Sequence, residues 1–341
     1  MSPDSGGPRA APTLEEVAAA AGVSRSTVSR VVNGSSQVKA DVAAHVTATI
    51  QTLGYIPNRA ARSLVNRRNM AIALVVPEDT TRFFGDPYFA SIVKGITSRL
   101  QQSDYVLVLQ LADAVRPSGN TLRFLTAGNV DGALVVSHHS RDTALAKLGA
   151  TLPVVFNGRP LAQTDPPICF VDVDNVAAAE VATRHLLSLG RRRIGTIAGP
   201  DDMTPGVDRL AGWRRALEAA GHATDLVAVA DFSQADGATA MAELLDRAPD
   251  LDGLFVASDL MALGALGVLQ GRGRRVPEDV AVVGFDDSPA ATSGPVRLTT
   301  VHQPSEETGA RMVDMLLGLL HGEHVERERL LPTHLVIRDS A

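Results

Sequence analysis

The chain is poor in several things that would point to particular kinds of chemistry. It has one cysteine, Cys169, which excludes a disulfide framework and any multi-cysteine zinc or iron–sulfur site built within a single chain. It has no run of about 18 uninterrupted apolar residues, and its best candidate, Gly253 to Gly271, carries Ser258 and Asp259 in the middle. Met1 to Pro12 hold no apolar stretch, so no secretory signal is expected, and residues 1–12 read as a disordered tail. No membrane partner and a cytoplasmic location follow as expectations. Lysine is scarce too: Lys39, Lys94 and Lys147 stand among 32 basic residues. With so much Ala and Gly, that arginine bias reflects a GC-rich coding sequence and says nothing about function.

Enzyme signatures are also missing. There is no G-x-S-x-G elbow, no G-x-x-x-x-G-K-[ST] phosphate loop and no H-E-x-x-H pair. His138 and His139 are adjacent, so their side chains diverge and no third ligand is evident; no metal is expected. Asp286 and Asp287 are neighbours as well, a poor arrangement for two carboxyls that must face one another across a substrate. Cys169 reads as a small buried hydrophobe. Neither a catalytic group nor a cofactor is expected. The rival from another class is an α/β sugar-processing enzyme carrying an extra head.

What is present is 341 residues at 45% hydrophobic and 21% charged, enough for two or three packed domains. The net charge of −6 is unevenly spread. Between Thr13 and Arg68 seven basic residues face three acidic ones, so this segment is net positive and the remainder carries a larger negative charge. A basic head on an acidic body fits a nucleic-acid-binding module joined to something else.

The head reads as three short helices. Thr13-Leu14-Glu15-Glu16 is a capping box that starts the first, which stops at Ala21-Gly22-Val23. Ser24 can cap a second helix, Arg25 to Val32, ending at Asn33-Gly34. A third begins near Lys39 and carries Val42, Val46, Ile50 and Leu53 as one apolar stripe. Two helices joined by a short Gly-containing turn, with a third against them, is the helix-turn-helix arrangement. The second helix is rich in hydroxyls and offers Arg25, Ser26, Ser29 and Arg30, donors suited to base edges and phosphates. The alternative is a helical cap whose arginines are merely solvated.

From Ala71 onward, short Val/Ile/Leu runs alternate with amphipathic stretches. Eight runs stand out: 71–76, 106–109, 132–136, 154–156, 194–198, 226–229, 253–256 and 280–283. This pattern predicts parallel sheets covered on both faces and divided between two doubly wound lobes. An internal echo supports the division, since Val130-Asp131-Gly132-Ala133-Leu134-Val135-Val136-Ser137 recurs as Leu251-Asp252-Gly253-Leu254-Phe255-Val256-Ala257-Ser258. A ligand is expected in the cleft outside the carboxyl ends of the strands. Phe83, Phe84, Tyr88 and Phe89 follow the first of these strands, and aromatic faces of that kind stack on sugar rings. They could equally form a hydrophobic plug between helices.

Long, ordered runs of the head, including Ala21-Gly22-Val23-Ser24, Thr27-Val28-Ser29-Arg30-Val31-Val32-Asn33-Gly34 and Leu53-Gly54-Tyr55-Ile56-Pro57-Asn58-Arg59-Ala60-Ala61-Arg62-Ser63-Leu64, resemble the lactose-repressor (LacI) family. So do Arg209-Leu210-Ala211-Gly212-Trp213, Ala257-Ser258-Asp259-Leu260-Met261-Ala262, Val283-Gly284-Phe285-Asp286-Asp287 and Thr299-Thr300-Val301-His302-Gln303 in the body. The resemblance implies a DNA-binding domain over residues 13–57 and a hinge helix or linker over 58–69. It also implies a two-lobed effector-binding body, similar to periplasmic sugar-binding proteins, over 70–341. One lobe would span about 70–172 plus 302–330, the other 173–301 plus 331–341.

Site residues follow from the same resemblance. DNA contacts are implied for Ser24, Arg25, Ser26, Thr27, Ser29, Arg30, Asn33, Asn58, Arg59 and Ala61, with Leu64 wedged into the minor groove. Effector contacts are implied for Asn157, Arg209, Trp213, Ser258, Asp286 and Gln303, beside the aromatic group. Ser258 departs from the Asn common at its position, which leaves room for a ligand larger than a monosaccharide. The Phe/Tyr-rich loop looks similar to that of regulators answering to glucose oligosaccharides such as cellobiose. The implied protein is a homodimeric repressor released from double-stranded operator DNA by a mono- or disaccharide. A purine or other metabolite acting as corepressor is the alternative.

Overall fold

A computed structural model describes residues 12–32, 35, 37–55, 68–111, 119–140, 145, 147–161 and 167–341. The chain divides into two compact units, residues 1–69 and 70–341.

In the first unit, α1 (Leu14–Ala20) opens with the capping box: Glu16 N donates to Thr13 Oγ1 at 3.2 Å and Thr13 N to Glu16 Oε2 at 2.7 Å. A turn through Gly22, at φ +63°, leads to α2 (Arg25–Val32), where Thr27 N donates to the Ser24 hydroxyl at 3.1 Å. The third helix, α3 (Ala40–Leu53), ends on Gly54 at φ +65°. Val17, Ala18, Ala21, Val28, Val46 and Tyr55 form the buried centre. Leu53 does not belong to it, being 38% exposed. At 14 residues, α3 is about twice as long as α1 or α2, so its last turn runs beyond what they can cover.

Among the described residues, the second unit holds two six-stranded sheets. Strands β1 (Ala71–Val76), β2 (Val106–Leu111), β3 (Gly132–Val135), β4 (Val154–Asn157) and β5 (Cys169–Val173) join a late strand, β11 (Glu328–Leu331), in the order β11-β5-β4-β3-β1-β2, all parallel. The other sheet combines β6 (Ile194–Ala198), β7 (Val227–Val229), β8 (Gly253–Val256), β9 (Ala281–Asp286), β10 (Thr299–His302) and β12 (His334–Val336), in the order β12-β10-β9-β8-β6-β7. Here β12 runs antiparallel to β10, a departure from the all-parallel expectation. The repeated octapeptide is β3 and β8 with their flanks. Both strands take the same place in their sheets, and both are buried throughout.

Four strands were not among the eight apolar runs. In β5 the polar Asp172 sits between Val171 and Val173; β10 is half threonine; β11 begins Glu-Arg; β12 has three residues. Each is either close to a sheet edge or carries side chains the cleft uses, so none needs continuous apolar sequence. Cys169, on β5, is buried.

Helices flank both sheets: α4 (Thr80–Gly85), α5 (Pro87–Leu100) and α6 (Gly119–Thr126) in the first lobe, α7 (Asn175–Ser188), α8 (Thr204–Ala219), α9 (Gln234–Arg247), α10 (Asp259–Gly271) and the short α11 (Ala290–Ser293) in the second. The chain then returns to the first lobe as α12 (Ser305–His321), packed along α5 and against β3, β4 and β5. Gly95 and Gly309 permit that contact: a Cβ on Gly95 would lie 1.8 Å from the Glu306 carbonyl oxygen, and one on Gly309 2.3 Å from that of Ile92.

Candidate functional site: a recognition helix and an interlobe cleft

On α2 the apolar side, Val28 with Val31 and Val32, packs into the head. The opposite side presents Ser24, Arg25, Ser26 and Arg30 to solvent, with Thr27 and Ser29 half-buried. Arg25 Nε lies 3.1 Å from Glu15 Oε1, both side chains well exposed, a pair worth little in water and readily exchanged for phosphate or base. Ser24 Oγ lies 2.8 Å from both Ser26 Oγ and Thr27 Oγ1. Asn33, Asn58, Arg59, Ala61 and Leu64 lie outside the described residues.

In the body, a cavity of about 70 Å³ opens between the lobes at the carboxyl ends of the strands. Arg209, on the first turns of α8, is its hub. Its Nε donates to Asn175 Oδ1 at 2.9 Å, Nη1 to the Ala257 carbonyl at 2.6 Å, and Nη2 to Gln303 Oε1 at 2.7 Å. Asp286 Oδ1 lies 3.5 Å from Nη1, and the guanidinium stacks on Phe285 with its carbon 3.6 Å from the ring centre. Asp286 is held at φ +113° and Asp287 at +56°, sparsely populated conformations that turn the chain sharply at the end of β9.

The first lobe completes the wall. Tyr88 donates a short hydrogen bond to Asn157 Oδ1. Asp86, the N-cap of α5, accepts from Tyr88 N at 2.9 Å. Asp172 Oδ2 accepts from Arg159 N at 3.0 Å, and its Oδ1 from Asn175 Nδ2 at 3.1 Å. Arg159 also reaches Asp208, and Thr204 Oγ1 donates to the Arg159 carbonyl at 2.6 Å, tying the lobes on this side.

Burial sets the protonation of the site. It raises the carboxyls of Asp86, Asp172 and Asp286, against the opposing pull of Tyr88 N, of the Arg159 and Val173 amides, and of Arg209 respectively. It raises Tyr88, lowers His138, and lowers Arg209 against the attraction of Asp286. Asp259, at the start of α10, is pushed by burial up to about 7, although Thr300 and Ser288 hydrogen-bond to it. A cavity that resists free charge while offering amides, carboxyls and a phenol in mixed orientation suits a neutral polyhydroxyl ligand.

Seven of the expected effector residues line this cavity: Tyr88, Phe89, Asn157, Arg209, Ser258, Asp286 and Gln303. Three do not line it: Phe83, Phe84 and Trp213. Phe83 is buried in the first lobe against Phe89, 5.3 Å between ring centres. Phe84, its neighbour on α4, meets the Phe83 ring edge to face, 5.0 Å between ring centres, and is 75% exposed. Trp213 is fully buried in the core, one helical turn further from the strand ends than Arg209. Ser258 caps α10, its hydroxyl accepting from Met261 N at 3.3 Å.

Sequence reasoning missed Arg82, Asp86, Asp172, Asn175, Thr204 and Phe232, which share the cavity wall. Phe232 is the aromatic that the second lobe contributes, and it stands at φ +67° just after β7. Loops after strand ends were the signal that could have found it. Among the described residues, no group of His, Cys, Asp and Glu is arranged to hold a metal, and no helix is long and apolar enough to cross a membrane.

A helix-turn-helix unit and a two-lobed α/β unit with a polar cleft, carried by one chain, define a DNA-binding transcriptional regulator. Residues 13–58 match the bacterial regulatory proteins of the lacI family, and residues 183–341 match the periplasmic binding protein-like domain. The chain is 48% identical to the HTH-type transcriptional regulator CelR of Thermobifida fusca, over 97% of its own length and 99% of that protein. It is similar to the solved transcriptional regulator CelR-cellobiose complex, with a TM-score of 0.76, 45% identity, and coverage of 97% of this chain and 100% of that one. It is also similar to the lac repressor dimer bound to operator and the anti-inducer ONPF, with a TM-score of 0.85, 31% identity, and coverage of 96% and 98%. The chain belongs to the lacI family of bacterial regulatory proteins.

Proposed function

We propose that this regulator is a cytoplasmic, homodimeric repressor that leaves its operator when a β-linked glucose disaccharide of the cellobiose kind fills the cleft, and that it turns over no substrate. The observation that carries the reading is the Arg209 hub: one guanidinium, buried, joins Asn175, Asp286 and Gln303 around a cavity of buried hydrogen-bonding groups with Phe232 and Tyr88 at its sides. Hydroxyls pair with the amides and carboxyls while ring faces meet the aromatics. The likeness to a regulator solved with cellobiose supports the choice of sugar. On the DNA side, Arg25, Ser26 and Arg30 reach base edges, with Ser24, Thr27 and Ser29 on the flanking phosphates. Two heads are required because one makes too few base contacts for high specificity.

Cellobiose at 100 times its dissociation constant should stabilise the body by about 2.7 kcal/mol, read as a rise in melting temperature. The same concentration should release a labelled operator. A sugar that tightens operator binding instead would make the ligand a corepressor and overturn the inducer logic. Appearance of glucose in the incubation would overturn the non-enzyme reading.

A further inference from the structure

One mouth of the cleft is crossed by a set of contacts, of which Arg82 and Phe232 also line the central cavity. From the first lobe come Glu78, Arg82 and His139; from the second come Asp202, Asp231 and Phe232, around a groove of about 600 Å³. His139 is buried, with Nδ1 3.0 Å from Asp202 Oδ1 and Nε2 3.5 Å from Glu78 Oε1. Ser140 N donates to the Asp202 carbonyl at 2.7 Å. Arg82 Nε lies 3.3 Å from Glu78 Oε1, while its Nη1 donates a short bond to the Asp231 carbonyl and its guanidinium sits 5.3 Å from the centre of the Phe232 ring.

We propose that Arg82 and His139 are positioning residues: with Glu78 and Asp202 they clasp the two lobes together and hold Phe232 against the cavity, so that effector affinity depends on the clasp and on the charge of His139. The proposal rests on the effector reading given above. Phe232 needs such support, because a non-glycine residue at φ +67° persists only where its surroundings over-determine it. Arg82 supplies it from the facing lobe, through the Asp231 carbonyl next to it in the chain and through the ring itself.

The charge dependence follows from what faces the imidazole. Glu78 and Asp202 flank it, His138 adjoins it in the chain, and Asp79, Asp86, Arg82 and Asp231 line the same groove. Burial pulls the His139 pKa down, but the two flanking carboxylates outweigh it and the pKa is raised. Separating the lobes takes Asp202 away, which lowers it again. The bridged arrangement therefore binds the proton more tightly than the separated one. Its advantage is fully present at acid pH and is lost as pH rises through the raised pKa.

Calorimetric titration of the full-length protein with cellobiose, from about pH 6 to about pH 8.5, tests this. Affinity in the wild type should fall about three- to tenfold across that range. His139→Gln and Asp202→Asn should bind at the weaker level throughout, with a flattened profile. Arg82→Lys, which keeps a cation near Glu78 but loses the fork, should bind more weakly at every pH while keeping the slope. Asp259 and the cavity carboxyls titrate too, but their contribution is common to wild type and His139→Gln, so the difference isolates the histidine. An equal slope in wild type and in both His139→Gln and Asp202→Asn, with cellobiose still bound, would overturn the clasp and leave the effector reading intact. No binding of cellobiose by the wild type at any pH would overturn the effector reading and the clasp with it.

Discussion

Replacing Arg209 with alanine probes the hub of the cleft most severely. The guanidinium is fully enclosed and serves Asn175 Oδ1, the Ala257 carbonyl, Gln303 Oε1 and the Asp286 carboxylate. Its loss strands all four in a space too small and too polar to collapse. Removing one partner of a buried ionic pair costs about 3–5 kcal/mol, much of it the penalty of the group left behind. Asp286 would respond by taking a proton, since burial already raises its carboxyl and Arg209 is the chief restraint. For a body of this size each kcal/mol moves the melting temperature by about 2–4 °C, so Arg209→Ala should melt about 6–20 °C lower. Arg209→Lys keeps a charge near Asp286 but not the fork, and should lose about 1–3 kcal/mol. Well below its melting point, the alanine variant should still bind operator through a head with its own core, and should not release it with cellobiose. Scanning calorimetry beside operator titrations with and without cellobiose reads both effects. An alanine variant that melts within a degree or two of wild type and is still induced would refute the hub.

Phe232→Ala should weaken cellobiose binding by about 0.5–1.5 kcal/mol beyond the area it removes, measured by calorimetry, while operator affinity without sugar stays the same. Arg30→Ala should cost about 1–3 kcal/mol of operator binding and relax sequence preference at one base pair, which competition against single-base operator variants would show. Gly95→Ala forces α5 away from the Glu306 carbonyl, and should destabilise the body by about 1–3 kcal/mol on a denaturant curve. Asp259 is held near 7 by burial against an ordinary value of 3.8, so the folded state takes up the proton more readily. Body stability should therefore decline as pH rises from about 4 to about 7, a slope that Asp259→Asn reduces in melting curves against pH.

Much of the architecture was legible because its signals are local. The capping box at Thr13, the turn at Gly22 and the stripe on α3 all depend on residues within one or two turns of each other. The repeated octapeptide worked for a related reason: central strands buried on both faces must be apolar throughout, so β3 and β8 look alike in sequence as they do in the sheets. Strands near sheet edges escape that constraint, which is why β11, beginning Glu-Arg, and the three-residue β12 left no trace. The cleft was harder to read. Arg209 and Asp286 stand at strand ends and could be singled out, yet Trp213 shares a helix face with Arg209 and differs only in depth, which periodicity does not report. Phe232, Asp172 and Arg82 meet only because three chain crossings bring the two lobes face to face, and nothing near them in sequence says so.

The central claim, that sugar and operator compete through the arrangement of the lobes, is tested most directly by measuring cellobiose affinity twice, on the free protein and on the protein saturated with operator DNA. Linkage requires the two to differ by the same factor by which cellobiose weakens operator binding. The account predicts weaker cellobiose binding to the operator complex by about 5–150-fold, matched by an equal loss of operator affinity at saturating sugar. Equal cellobiose affinity in the two states would contradict it, however tightly the sugar binds.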